Sequence, residues 1–239
     1  MKTKIIEEPS YRNQVFIFRD RLHSGNLLSE KLQEYAQKGK TIILALPAGG
    51  VPVGYAVSKK LGIPMGIMVV RKIQIPWNAE AGFGALTWDG ETVLNTPLVE
   101  QLGLSNVEIE ESISKTKRII QERQRKFMGD KPMPNLNKKV VILVDDGLAS
   151  GFTMLAAVRS AKKETPKKII VAVPTASMGA IRLLEPEVDE IVCLNIRTGP
   201  SFAVADAYKN WYDLTDEEVI RILKKAEKLQ PVPRQHRYT

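Results

Sequence analysis

The stretch Val140-Val141-Ile142-Leu143-Val144-Asp145-Asp146-Gly147-Leu148-Ala149-Ser150-Gly151-Phe152-Thr153-Met154 passes from apolar to acidic to small and polar within fifteen residues. Five consecutive aliphatic residues, bounded by Lys138-Lys139 and by Asp145-Asp146-Gly147, predict a strand buried on both faces of a parallel sheet. The acids mark its exit from the core. Ala149-Ser150-Gly151 then supplies a turn without bulk, and residues 152–158 have the composition of a helix that begins there.

This order of parts has a chemical meaning. The first N–H groups of a helix have no partner inside it, and together with the helix dipole they favour an anion such as phosphate. Small residues let the backbone approach, and the hydroxyls of Ser150 and Thr153 can donate as well. Carboxylates are poor partners for phosphate, so Asp145 and Asp146 must face something else, such as sugar hydroxyls or the water shell of Mg²⁺. A phosphorylated sugar satisfies both halves.

A second strand-to-turn passage lies upstream. Residues 41–46 are apolar, Pro47-Ala48-Gly49-Gly50 follows, and residues 51–62 read as a helix with Pro52 in its first turn. The spacing is neither a Walker loop nor a GxGxxG fingerprint. Residues 63–70 read as a further strand ending in Arg71-Lys72, two cations at the edge where open α/β sheets bind ligands. The segment of about 73–95 is long and glycine-rich, with a hairpin expected at Asp89-Gly90, and it has the character of a lid.

Helical spacing runs over residues 16–37, with a break expected near Ser24-Gly25-Asn26, and Phe18-Arg19-Asp20-Arg21 reads as a charged helix face. Ser105-Asn106-Val107-Glu108 is a capping box for a long helix to about Met128. Strands over 168–174 and 188–194 flank a short helix over 177–184, and a last helix, capped at Thr215, runs to about Leu229. Residues 1–15 read as a polar arm and 231–239 as a loose tail. The fold class is therefore α/β: one domain over 1–239, a mostly parallel twisted sheet with helices on both faces, plus a lid or hood insertion. The turns after Leu46, Val70 and Val144 are expected on one edge.

Residues 141–153 resemble the 5-phosphoribosyl-1-pyrophosphate (PRPP) motif of the type I phosphoribosyltransferases. Over residues 16–229, the order strand, Pro47-Ala48-Gly49-Gly50, strand, Arg71-Lys72, then Asp145-Asp146 and Ala149-Ser150-Gly151-Phe152-Thr153 is similar to stand-alone predicted phosphoribosyltransferases. The resemblance implies transfer of a 5-phosphoribosyl group from PRPP to a nitrogen nucleophile, a nucleobase, with release of pyrophosphate. Asp145 and Asp146 then serve as the catalytic pair on the ribose hydroxyls. Ala149, Ser150, Gly151, Phe152 and Thr153 hold the 5-phosphate, and Ala48, Gly49, Gly50, Arg71 and Lys72 receive the pyrophosphate. Mg²⁺ is implied as cofactor, carried by PRPP and water, with Asp145 and Asp146 the protein groups able to reach it.

Three positions depart from the family pattern. Ala48 stands where relatives often carry Arg, Gly147 where a bulkier aliphatic is usual, and Ala149 where oxopurine-using relatives carry Asp. Arg71-Lys72 are expected to supply the charge that Ala48 lacks. The acceptor is expected to stack on Phe152, Trp77 or Tyr208. An alternative of a different class is a PRPP- or nucleotide-sensing regulatory protein on the same fold.

Composition sets the remaining bounds. The net charge of +8 over 239 residues is spread among interleaved acids, without a long basic block, so no specific nucleic-acid partner is expected. No stretch is long and apolar enough to span a membrane, and the first eight residues lack a signal-peptide apolar region, which leads to the expectation of a cytoplasmic protein without a membrane partner; a homo-oligomer is expected as well. The single cysteine, Cys193, reads as core filler, and His23 and His236 suggest neither a zinc site nor a triad.

Overall fold

The computed structural model describes residues 3–36 and 39–229. Its strands are β1 (Lys4–Ile6), β2 (Thr41–Ala45), β3 (Met65–Ile67), β4 (Val70–Ile75), β5 (Asn78–Thr87), β6 (Thr92–Leu94), β7 (Val140–Val144), β8 (Lys168–Ser177) and β9 (Glu190–Arg197). Its helices are α1 (Arg21–Lys31), α2 (Gly50–Leu61), α3 (Thr96–Leu102), α4 (Asn106–Met128), α5 (Phe152–Lys163), α6 (Met178–Leu184) and α7 (Asp216–Glu227).

The main sheet has the order β1-β9-β8-β7-β2-β3, and every pairing in it is parallel. Apolar side chains alternate through it. Ile43, Ala45, Ile142, Val144, Ile170 and Val192 join one core with Leu28 of α1, Val57 of α2 and Leu223 of α7. Their neighbours Ile42, Leu44, Val141, Leu143, Val171 and Cys193 join the other core with Leu155 of α5 and Leu184 of α6. Both faces are covered, which is why the strands read as unbroken apolar runs. Cys193 is fully buried, and burial pushes its thiol far above its ordinary pKa.

Connectivity places the ligand edge. From β2 the chain moves outward to β3, whereas from β7 it moves the other way, to β8 and β9. The carboxyl ends of β2 and β7 are therefore neighbours at a point where the winding reverses, the position at which open parallel sheets form a crevice. Ala45 pairs with Val144 there, and Leu46 N donates to Val144 O at 2.8 Å.

Several expectations are corrected. The polar arm is in part an edge strand: β1 pairs with β9, and Glu8 N and Asn13 N donate to Leu194 O and Ile196 O. Three residues with polar flanks carry too little pattern to read as a strand. Helix α1 starts at Arg21, runs unbroken through Ser24-Gly25-Asn26 and ends at Lys31. Gly25 is there for space, since a Cβ on it would lie 2.6 Å from Val53 O and 2.8 Å from Ala56 Cβ of α2. The strand expected over 63–70 is only β3, and Arg71 and Lys72 lie inside the next strand, β4.

β4, β5 and β6 form a separate antiparallel sheet whose β5–β6 hairpin turns at Asp89-Gly90, with Gly90 at φ +87°. Ile73 and Phe83 are buried in the core shared with α4, and Ala85 and Val93 in the core shared with α5. This sheet is the segment expected as a lid; the part that projects is the β4–β5 tip, where Trp77 is 63% exposed. The capping boxes at Ser105 and Thr215 form as expected. The tail expected at 231–239 lies outside the described residues.

Candidate functional site

The turn from β7 to α5 is pinned to β8. Leu148 N donates to Thr175 O, Ser177 N donates to Leu148 O, and Ser177 Oγ donates to Ala149 O at 2.6 Å. Gly151 at φ +83° lets the chain enter α5 directly, and no side chain caps that helix. Its first N–H groups are left for a ligand. Ala149 and Ser150 are exposed, and the turn borders a cleft of about 430 Å³ together with Asp145, Gly147, Phe152, Thr153, Lys72 and Val204.

The two acids part company. Asp145 lines this cleft, and its Oδ1 accepts from Asp146 N at 2.9 Å. Burial and the adjacent Asp146 charge push its carboxyl well above the usual carboxylate range. Asp146 turns to the opposite face, 9% exposed, where its Oδ2 accepts from Arg21 Nε at 2.8 Å. Burial raises its pKa too, and the Arg21 charge opposes that rise. Arg21 is held in turn: one terminal nitrogen donates to Tyr212 O at 2.8 Å, and the guanidinium lies 3.9 Å from the Trp211 ring centroid. Tyr208 Oη donates to Asp146 O at 2.6 Å.

The turn from β2 to α2 meets the same place. A Cβ on Gly49 would lie 1.9 Å from Asp146 Oδ2, and one on Gly50 would lie 2.5 Å from Val144 O. Glycine is required at both positions because no room is left for a side chain where the two turns touch. The peptide between Pro47 and Ala48 is cis. Ala48 packs against the apolar core and brings no charge.

The two expected cations separate as well. Lys72 lines the cleft; its stem lies over Gly82, and its Nζ donates to Glu80 O at 2.5 Å. Arg71 is half-buried on the other side of β4, where burial and the charge of Arg123 lower its pKa. The structure thus brings Asp145, residues 147–153 and Lys72 to one cleft, and sets the turn of Ala48, Gly49 and Gly50 beside it against Asp146 and the end of β7, not among the residues that line it. It does not bring Arg71 to that cleft.

Of the aromatic candidates, Phe152 borders the cleft. Tyr208 is 1% exposed, with its ring 5.6 Å from Phe18 and 5.3 Å from Trp211, so it is core and cannot stack on an acceptor. Trp77 sits at the β4–β5 tip. Two further residues at the site are not evident from sequence. Val204 presses on Gly147, where a Cβ would lie 2.6 Å from Val204 Cγ1; it fills the space that a larger residue at 147 would take. Arg21 reads in the sequence as part of a charged helix face. A signal exists nonetheless: Asp20 caps α1 by accepting from His23 N, and a cation in the first turn opposes the helix dipole unless it has another partner.

Among the described residues, no three or more His, Cys, Asp or Glu come together as a metal site. One carboxylate facing the cleft suits Mg²⁺ that keeps water and phosphate oxygens as its main ligands, rather than a cage made by the protein. No helix among the described residues is long and apolar enough to cross a membrane.

The class this defines is an open parallel α/β domain with an uncapped helix start, a cleft-facing acid and a second glycine turn at its switch point. More specifically, the chain belongs to the phosphoribosyl transferase domain family, which matches residues 20–206. Two Mycobacterium tuberculosis proteins, from strains H37Rv and CDC 1551, bear the phosphoribosyl transferase name as a provisional assignment. Each is 32% identical over 212 residues, which covers 89% of this chain and 47% of the relative. The chain thus spans about half the length of these curated relatives. TT1426 from Thermus thermophilus, a crystal structure, is 33% identical with a TM-score of 0.71, covering 87% of this chain and 98% of that one.

Proposed function

We propose that this chain is a phosphoribosyltransferase that moves a 5-phosphoribosyl group from PRPP to a nitrogen nucleophile, a nucleobase, and releases pyrophosphate. The observation that carries this reading is the meeting of two ligand turns, 147–153 and 48–50, at the sheet's switch point. PRPP needs such a pair, one for the 5-phosphate and one for the pyrophosphate on C1.

In this reading the backbone N–H groups of residues 149–153, with the Ser150 and Thr153 hydroxyls, hold the 5-phosphate. Asp145 accepts from the ribose hydroxyls and, as an anion, favours the positive charge that grows on the sugar as the C1–O bond to pyrophosphate breaks. Asp146 is committed to Arg21, so we assign the ribose contact to Asp145 rather than to both acids. The Ala48–Gly50 turn and Lys72 receive the pyrophosphate, and Arg71 serves only through a movement of β4. Asp145 would be the protein group to hold Mg²⁺, which when bound with PRPP would supply charge neutralisation at the leaving group. Phe152 and Val204 wall the space beyond C1 where the acceptor lies, and the β4–β5 tip is the part that closes over it.

The test is Mg·PRPP-dependent pyrophosphate release across a panel of nucleobases. One observation favours the sensing alternative: with Ala48 uncharged and Lys72 engaged by Glu80 O, the pyrophosphate end is poor in cations. Tight PRPP binding without pyrophosphate release for any base would establish that alternative and remove the enzyme.

A further inference from the structure

We propose that Arg21 is a positioning residue for the pyrophosphate turn: it fixes the Asp146 carboxylate, and the carboxylate fixes Gly49. The inference rests on the PRPP reading above and adds to it a residue from an element far away in the chain.

A lone buried carboxylate is costly unless a counter-ion and hydrogen bonds accompany it. Asp146 obtains its counter-ion from a residue 125 positions away, and both side chains are nearly sealed from solvent, with Arg21 8% and Asp146 12% exposed. Arg21 cannot swing freely, because Tyr212 O and the Trp211 ring hold its remaining faces. Trp211 packs on Tyr208, and Tyr208 donates back to Asp146 O. The contacts close a ring: Asp146, Arg21, Trp211, Tyr208 and Asp146 again. The ring joins α1, the β7 exit and the segment after β9 into one rigid unit.

Gly49 rests on that unit. All three atoms nearest to a Cβ placed there, at 1.9, 2.3 and 2.7 Å, belong to the Asp146 carboxyl group. The path of the 48–50 turn therefore follows the carboxylate, and the carboxylate follows Arg21. A planar guanidinium donating from Nε and from a terminal nitrogen in fixed directions suits this task better than an ammonium. The 5-phosphate turn depends on other anchors, Thr175 O, Ser177 N and Ser177 Oγ, none of which touches Arg21. The two halves of the site are thus separable by mutation.

The experiment is titration calorimetry on the full chain with two probes, Mg²⁺·pyrophosphate and ribose 5-phosphate. For Arg21→Gln the expected result is a loss of roughly tenfold or more in pyrophosphate affinity, the scale of one charge-assisted contact, with ribose 5-phosphate changed by less than about threefold. Arg21→Lys restores part of the loss, since it returns the charge without the fork. Trp211→Leu keeps the ion pair, loosens the guanidinium and gives a smaller loss on the same probe, which also serves should Arg21→Gln fail to fold. Equal weakening of both probes, or unchanged pyrophosphate affinity, overturns the positioning role. Wild-type protein that binds neither probe overturns the PRPP reading itself, a distinct outcome.

Discussion

Gly49→Ala is the sharpest perturbation the structure offers, because its cost can be traced to one side chain. The added methyl would sit 1.9 Å from Asp146 Oδ2 and 2.3 Å from Cγ. Ordinarily the end of a short side chain could yield, but this one is bonded to Arg21 at 2.8 Å in a nearly dry environment. Relief requires either that the turn shifts, at the roughly 1–3 kcal/mol typical of overpacking, or that the ion pair breaks, at about 3–5 kcal/mol. A loss near ~3 kcal/mol is expected, equivalent to a fall in Tm of roughly 6–12 °C for a chain of this size. Urea unfolding measures it, with an unchanged m value as the check that the transition remains comparable. The same substitution is then made in an Arg21→Met/Asp146→Ala background, which removes both charges together and strands neither. There the clash is gone and Gly49→Ala should cost less than about 1 kcal/mol, giving a coupling of about 2 kcal/mol. Equal cost in both backgrounds, within about 0.5 kcal/mol, would falsify the claim that Gly49 is glycine because of Asp146.

Asp145→Asn should stabilise the protein at neutral pH. The folded-state pKa of Asp145 is raised, so the native state holds a proton that the unfolded chain gives up near the ordinary value of about 3.9, and stability falls as pH rises through that window. The advantage of the variant is therefore present at neutral pH and disappears as pH falls below about 4; thermal unfolding from acid to neutral pH checks the sign, and a variant no more stable at neutral pH contradicts it. Gly151→Ala should destabilise by about 1–2 kcal/mol through its left-handed backbone and weaken ribose 5-phosphate binding, since the Cβ also meets Ala180 Cβ at 3.1 Å. Lys72→Ala should weaken Mg²⁺·pyrophosphate binding by about tenfold or more, whereas Arg71→Ala on the far side of β4 should leave it nearly unchanged. The reverse order in calorimetry would show that β4 turns over when ligand binds.

Much of the fold is legible in the chain because burial on both faces leaves long apolar runs. Val140–Val144 reads as a central strand and is one, bonded on both sides to β2 and β8. Local capping is equally plain, as at Ser105 and Thr215, where three-residue spacings decide the helix start. What stays hidden depends on partners remote in sequence. β1 is a strand only because β9 lies beside it. Arg21 meets Asp146 only because α1 packs across α2 and brings it there. Gly25 reads as a helix break until the helix behind it is known, and then it reads as a contact.

The same limit explains why neighbouring residues of like charge invite a shared role that they do not have. Asp145-Asp146 leaves the end of a strand, and Arg71-Lys72 lies within one; in extended chain, successive side chains point to opposite faces. Val144 belongs to the core shared with α1 and α2, and Leu143 to the core shared with α5. Continuing that alternation sends Asp145 toward α5 and the turn that precedes it, and Asp146 toward α1, where it meets Arg21. In β4, Ile73 belongs to the α4 side and Val70 to the α5 side, which puts Lys72 on the cleft and Arg71 behind it. A charged pair at a strand end is thus two residues with two environments. One can meet the ligand directly while the other supports the surface that the ligand meets.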